Sequence, residues 1–133
     1  MGLNDEERKT IVALELEKSA HTLEQVDYLI QGQLWETLAN RLYYGAYHAV
    51  CALLIHNGIQ VGTHKGAVVM FNKEFIKTGK ILEEQGRIYS QLQSLRERGD
   101  YNCYINTNEE EIMPYVPATR QLVDKIRELI TLN

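Results

Sequence analysis

Apolar residues return every three to four positions along most of this chain, the period of α-helices packed on one side. In the first segment they fall at Ile11, Leu14, Ala20, Leu23, Val26 and Ile30, with charged residues between them. Asn4 is placed to cap this helix, Glu7 three residues on completes a capping-box pattern, and Asp5 and Glu6 suit the positive end of the helix dipole. Gly32 predicts its end. A second helix over 33–56 carries Trp35, Leu38, Leu42, Ala46, Ala49, Val50, Leu53 and Leu54, leaving little room for a wetted face. Such a helix belongs at the centre of a fold.

Asn57-Gly58 and Gly62-Thr63 bracket a loop. A third helix, capped by Thr63, runs through Val68, Val69, Phe71 and Phe75 to Gly79. A fourth, from Ile81 to about Gly99, places Leu82, Ile88, Leu92 and Leu95 at helical spacing, with Gly86 as its weak point. The stretch 101–107 reads as irregular. Asn108 and three glutamates then start a last segment that Pro114 and Pro117 should break or kink, before Leu122, Ile126, Leu129 and Ile130 form a final amphipathic helix. No alternating Val/Ile/Thr run, repeat or low-complexity linker interrupts this pattern. The fold class is therefore all-α: an antiparallel bundle of four long helices plus shorter helical pieces, a single domain over 1–133.

Composition narrows the function classes. Hydrophobic residues make up 44% and charged residues 24%, an ordinary globular balance. The net charge of -4 gives no global attraction for phosphate backbones or anionic lipid, so any nucleic-acid contact must come from a local patch. The acidic N-terminal residues do not match a secretory signal, and the longest apolar run, Ala49 to Ile55, is far too short to span a bilayer. A cytoplasmic location without membrane contact is the expectation. Cys51 and Cys103 have no CxxC spacing and read as reduced thiols. No HExxH, GxGxxG, GxxxxGK[ST] or GxSxG motif occurs, so no metal or other cofactor is expected.

Candidate chemistry sits on the second helix, in Asn40-Arg41-Leu42-Tyr43-Tyr44-Gly45-Ala46-Tyr47-His48-Ala49. Arg41, Tyr44 and His48 stand at i, i+3 and i+7 on one stripe, and Tyr43 and Tyr47 share the next. An arginine that stays charged and a histidine that titrates near neutrality could hold a phosphate and move a proton. The same spacing also fits amphipathic tyrosines packed in a core around a hydrogen-bonded histidine. A second group is Arg96-Glu97-Arg98-Gly99-Asp100-Tyr101 at the end of the fourth helix. It could bind phosphate and stack a base; it also fits a glycine cap with arginines favoured by the helix dipole. His64, between Thr63 and Lys65, falls at a helix N-terminus, where backbone donors favour anions, or is a purely structural loop residue.

Taken together, the second-helix motif, Thr63-His64-Lys65-Gly66 and Arg96-Glu97-Arg98-Gly99-Asp100-Tyr101 resemble the HEPN superfamily, in particular its small stand-alone branch, from about residue 5 to 130. The resemblance implies a helical bundle that forms a homodimer, paired with a minimal nucleotidyltransferase as toxin and antitoxin. It also implies kinship with metal-independent ribonucleases that use an Arg-x4-6-His motif. Here the positions counted from Arg96 hold Tyr101, Asn102 and Cys103, and none is histidine. A tyrosine with an ordinary pKa near 10 is a poor base at neutral pH.

Three functions follow as expectations. One is a nucleotide- or RNA-binding homodimeric partner of a minimal nucleotidyltransferase, with Arg41, Tyr44, His48, His64, Arg96, Asp100 and Tyr101 as the binding residues. Another is a metal-independent endoribonuclease using Arg96 with His48 or His64. The third is a structural interaction module whose polar cluster only fixes helix register.

Overall fold

A computed structural model of the chain describes residues 2–101 and 107–132, with the side chains at 99–101 and 132 left aside. Every regular element among the described residues is helical: α1 (Asp5–Leu23), α2 (Val26–Gln31), α3 (Trp35–His56), α4 (His64–Phe71), α5 (Glu83–Tyr101), α6 (Glu109–Ile112) and α7 (Tyr115–Leu132), with a π-helical turn at Asn72–Ile76 after α4. The four long helices are α1, α3, α5 and α7. None of the described helices is long and apolar enough to cross a membrane.

The capping box at the chain's start is present: Asn4 Oδ1 accepts from the Glu7 N–H at 2.8 Å, and the Glu7 carboxylate accepts from the Asn4 N–H at 3.0 Å. The expected first helix, however, is two. At Gln25 the backbone N–H turns to the Thr22 carbonyl three residues back, and the chain re-enters a helix at Val26. The reversal after α2 falls one residue beyond the glycine. Gln33, not Gly32, takes the left-handed φ of 56°, and the Leu34 N–H closes back on the Leu29 carbonyl at 2.9 Å in a Schellman arrangement. The central helix consequently starts at Trp35 rather than at Gln33. Its far end closes in the same way through Gly58, at φ 75°, with the Ile59 N–H on the Leu54 carbonyl.

Half of the 22 residues of α3 are buried, and it packs against every other helix of the bundle. Leu42, Val50, Leu53 and Leu54 meet Phe71, Leu92, Ile112, Leu122 and Ile126 in one continuous core. Burying side chains of this size contributes about 1.5–3 kcal/mol each, which is what fixes an otherwise ordinary helix at the centre. Phe71 and Phe75 anchor the third expected helix, which widens into the π turn before Gly79 ends it at φ 80°. Pro114 precedes α7 and Pro117 lies in its first turn, where a missing N–H costs no helical bond.

Four apolar positions expected on core faces, Leu14, Ala20, Val69 and Leu82, are exposed. In α1 the buried residues are Val12, Ser19 and Thr22, and Glu15 lies half-buried on the same stripe, so polar groups share the seam with the half-buried Leu16 and Leu23. Gly86 is not a weak point. It is buried, and a Cβ there would stand 2.8 Å from Cγ1 of Ile76, so the glycine is what lets α5 approach the π turn closely.

Candidate functional site

The register of α1 on α3 is set by a second glycine. A Cβ on Gly45 would lie 2.5 Å from a Leu23 methyl carbon, and the Ser19 hydroxyl donates to the Gly45 carbonyl at 2.7 Å. The two helices run antiparallel, so one turn before Ser19 and nearly one turn after Gly45 come opposite each other. Those positions are Glu15 and His48. The Glu15 carboxylate lies 2.8 Å from His48 Nδ1, with the side chains only 17% and 22% exposed. Lys18 approaches the other carboxylate oxygen at 3.7 Å.

On the neighbouring face of α3 the rings form a corner with α4 and α5. Tyr43 is fully buried and stacks between Tyr47, at 5.9 Å, and Tyr89 of α5, at 6.1 Å. His64, the first residue of α4, stacks on Tyr47 at 4.3 Å and brings its Nδ1 to 2.6 Å from the Tyr43 hydroxyl. Thr63 holds that helix start by accepting from the Gly66 N–H at 2.9 Å. The Arg96 guanidinium lies 5.4 Å from the ring centres of both Tyr43 and Tyr44. Arg41 faces Tyr44 at 5.5 Å while bonding to the Asn40 side chain. Such cation–ring contacts hold both guanidiniums at the corner.

Charge and burial tune these groups in opposite directions. The hydrogen bond to His48 holds the Glu15 carboxyl below its ordinary range, against the opposing effect of burial. His64 is pushed down by burial and then by the positive charges of Arg96 and His48, so its ring is neutral near pH 7. Burial raises the Tyr43 and Tyr89 phenols well above their ordinary value. Burial likewise pushes Tyr47 up to about 12 and the Cys51 thiol up to about 11. These tyrosines keep their protons. Cys51 is an inert thiol, as a half-buried apolar setting dictates.

Arg41, Tyr44, His48, His64 and Arg96 thus lie around one set of rings, although they come from three helices. The side chains of Asp100 and Tyr101 lie outside the described residues, as does Cys103. Arg98 turns away from the corner and pairs with Glu111 of α6. The arrangement offers cationic and neutral donors, protonated phenols and one carboxylate-backed imidazole, a set suited to phosphate and hydroxyl groups. Among the described residues no cluster of three His, Cys, Asp or Glu side chains is placed to hold a metal ion.

Glu15 and Tyr89 went unmarked in the sequence. Glu15 looks like one more charge on an amphipathic helix; its signal is the 3-4-3 spacing of Val12, Glu15, Ser19 and Thr22, which puts a carboxylate in the seam. Nothing local distinguishes Tyr89.

Residues 12–129 match the HEPN domain family. A UPF0332 protein of Thermotoga maritima is 29% identical over 124 residues, covering 93% of this chain and 94% of that protein. A protein of Methanocaldococcus jannaschii named "Putative toxin" is 30% identical over 128 residues, 96% of this chain and 94% of its own. A second one of that name from the same organism is 31% identical over 96 residues, covering 72% and 65%.

Proposed function

We propose, from the premise that this chain belongs to the HEPN family, that it is the RNA- or nucleotide-binding homodimeric partner of a minimal nucleotidyltransferase in a toxin–antitoxin pair. The kinship with proteins named as toxins supports the system. The observation that carries the binding role is the position of Arg96. Its guanidinium lies over Tyr43 and Tyr44 beside a ring-stacked His64, so a cation for phosphate and a set of aromatic rings occur together in a chain whose net charge is -4. A local patch of this kind is what an acidic protein needs in order to hold a polyanion.

Fluorescence anisotropy with a labelled oligoribonucleotide tests this reading. Binding should weaken with salt and fall on the order of tenfold in Arg96→Ala, the loss of one charged hydrogen bond. Absence of binding at high protein concentration overturns it. Coexpression with a minimal nucleotidyltransferase should give a complex on size exclusion.

A second reading, a metal-independent endoribonuclease, is favoured by one further feature: His64 meets the Tyr43 hydroxyl while the Arg96 guanidinium lies on the same ring, so an imidazole and a cation stand together. Cleavage of RNA in EDTA that disappears in Arg96→Ala would support it. Intact RNA after long incubation with the wild-type protein removes it.

A further inference from the structure

Beside the N-terminal half of α1 the chain leaves a recess of about 460 Å³. Leu3 ahead of α1, Ile11 of α1, Leu54 and Ile55 of α3, and Ile59 and Val61 of the loop before α4 wall it. That loop leaves α3 through Gly58 at φ 75° and packs Ile59 and Val61 back against the core. Four separate segments therefore surround the fully buried Leu54, which makes the space a recess and not a flat strip. Such a volume, with apolar walls and a few polar atoms, is what a small-molecule site requires. None of the residues lining it is charged, and its polar atoms come from the Cys51 thiol, the Gln60 amide and the backbone of Gly62. Arg8 stands at the adjoining end, where it is engaged with the Asp5 carboxylate at 3.2 Å and the Leu3 carbonyl at 3.5 Å. A charged ligand would lose hydration here without gaining a partner, whereas each methylene of a neutral one gains from burial.

We infer that this recess binds a neutral aliphatic small molecule with one hydrogen-bonding end, and that its occupancy shifts the His64 ring. The second half of the inference follows from the walls. Cys51 is hydrogen-bonded to Tyr47, and Tyr47 stacks on His64 at 4.3 Å. From the other side, Val61 packs against the first turn of α4, where a Cβ on Gly66 would lie 3.8 Å from its own Cβ. The chain then runs from Val61 through Gly62 and Thr63 directly into His64. A ligand in the recess thus touches both the chain that leads into His64 and the thiol bonded to the ring on which His64 stacks. Binding and ring position are then linked, and each biases the other by the same factor. The inference holds whether or not the protein binds RNA.

Titration of the full chain with 1-octanol, followed in methyl proton–carbon spectra, tests it. The methyl signals of Ile11, Ile55, Ile59 and Val61 should move together and saturate, and the His64 ring signals should follow the same isotherm. Ile130 should stay still. It lines the recess on the other side of α1, of about 330 Å³, which Asp5, Arg8, Lys9 and His56 make polar. 1-Hexanol, two methylenes shorter, should bind on the order of tenfold more weakly. Octanoate should bind more weakly than octanol. Ile11→Trp fills the recess and should abolish the shifts, and Val61→Phe serves the same purpose with less added volume if the first variant does not fold. Absent or unsaturable shifts at the four methyls overturn the site, as does equal movement at Ile130 or wild-type affinity in a folded filling variant. Octanoate binding as tightly as octanol overturns the neutral class of ligand. Signals at these methyls that depend on protein concentration without any alcohol would place a second copy of the chain on the recess and overturn the small-molecule reading. A His64 ring unmoved at saturation overturns the coupling.

Discussion

The α1–α3 seam and the α3–α4–α5 corner both deliver a histidine to the same rings, yet they are built from different physics. In the seam, a glycine brings two backbones together, a serine fixes the register, and the result is one hydrogen-bonded pair, Glu15 with His48. In the corner the contacts around the histidine are between rings. Large flat side chains, Tyr43, Tyr47 and Tyr89, stack on one another and carry His64 and Arg96 on their outer surfaces. A seam of small and charged groups tolerates little added volume and responds to the state of its carboxylate. A corner of stacked rings depends on bulk and on the hydroxyl that anchors its histidine.

Substitutions separate the two. Tyr43→Ala removes the ring that both stacks and anchors, and should cost about 3–5 kcal/mol by leaving a cavity in the core, seen as a lower midpoint in urea. Tyr43→Phe keeps the bulk and should cost only about 1–2 kcal/mol, while freeing the His64 ring nitrogen. In the seam the sign is reversed: adding volume is what harms. Gly45→Ala should destabilise by about 1–3 kcal/mol because Leu23 must leave its rotamer, despite the better helix propensity of alanine. If Tyr43→Phe proved as costly as Tyr43→Ala, the corner would owe its strength to the hydroxyl and not to stacking.

Acid should loosen the two regions in order. His64 titrates below its ordinary 6.5 in the folded protein, so the unfolded chain binds the proton more readily. Its contribution is complete above pH 6.5 and is lost as the pH falls through the folded value. Glu15 is also held below its ordinary value, 4.5, so its contribution is complete above pH 4.5 and is lost only in stronger acid. Thermal melts across this range should show a first decline that His64→Gln flattens and a second that Glu15→Gln flattens. A single decline removed by either variant would mean that the two regions respond as one unit.

The sequence made the corner far easier to read than the seam. Tyr43, Tyr44, Tyr47 and His48 announce themselves on a helix whose apolar run already marks it as central, and Arg96 and His64 stand in recognisable motifs. The long helices and their caps were legible for the same reason: period and cap chemistry are local. What was not legible depended on the partner helix. Leu14 fits the apolar period of α1, yet it is exposed, because the face of α3 that α1 meets carries Gly45 and His48 and accepts small and polar groups. Gly86 looked like a helix defect until Ile76 was found against it. The left-handed residue fell on Gln33 because the Schellman hydrogen bonds, not the glycine, decide where the chain turns.

The smallest predicted effect sharpens the account of the seam. Lys18 reaches the second oxygen of Glu15 at 3.7 Å, but its side chain is 60% exposed, where screening and side-chain entropy offset most of the attraction. Lys18→Ala should therefore change stability by no more than about 0.5 kcal/mol, and less at high salt. The His48 tautomer should be unmoved, since the oxygen that holds Nδ1 is not the one Lys18 approaches. A change of several kilocalories, or a shift in that tautomer, would make Lys18 a structural member of the pair, and the seam would then be held by a three-residue charge network rather than by the close approach at Gly45.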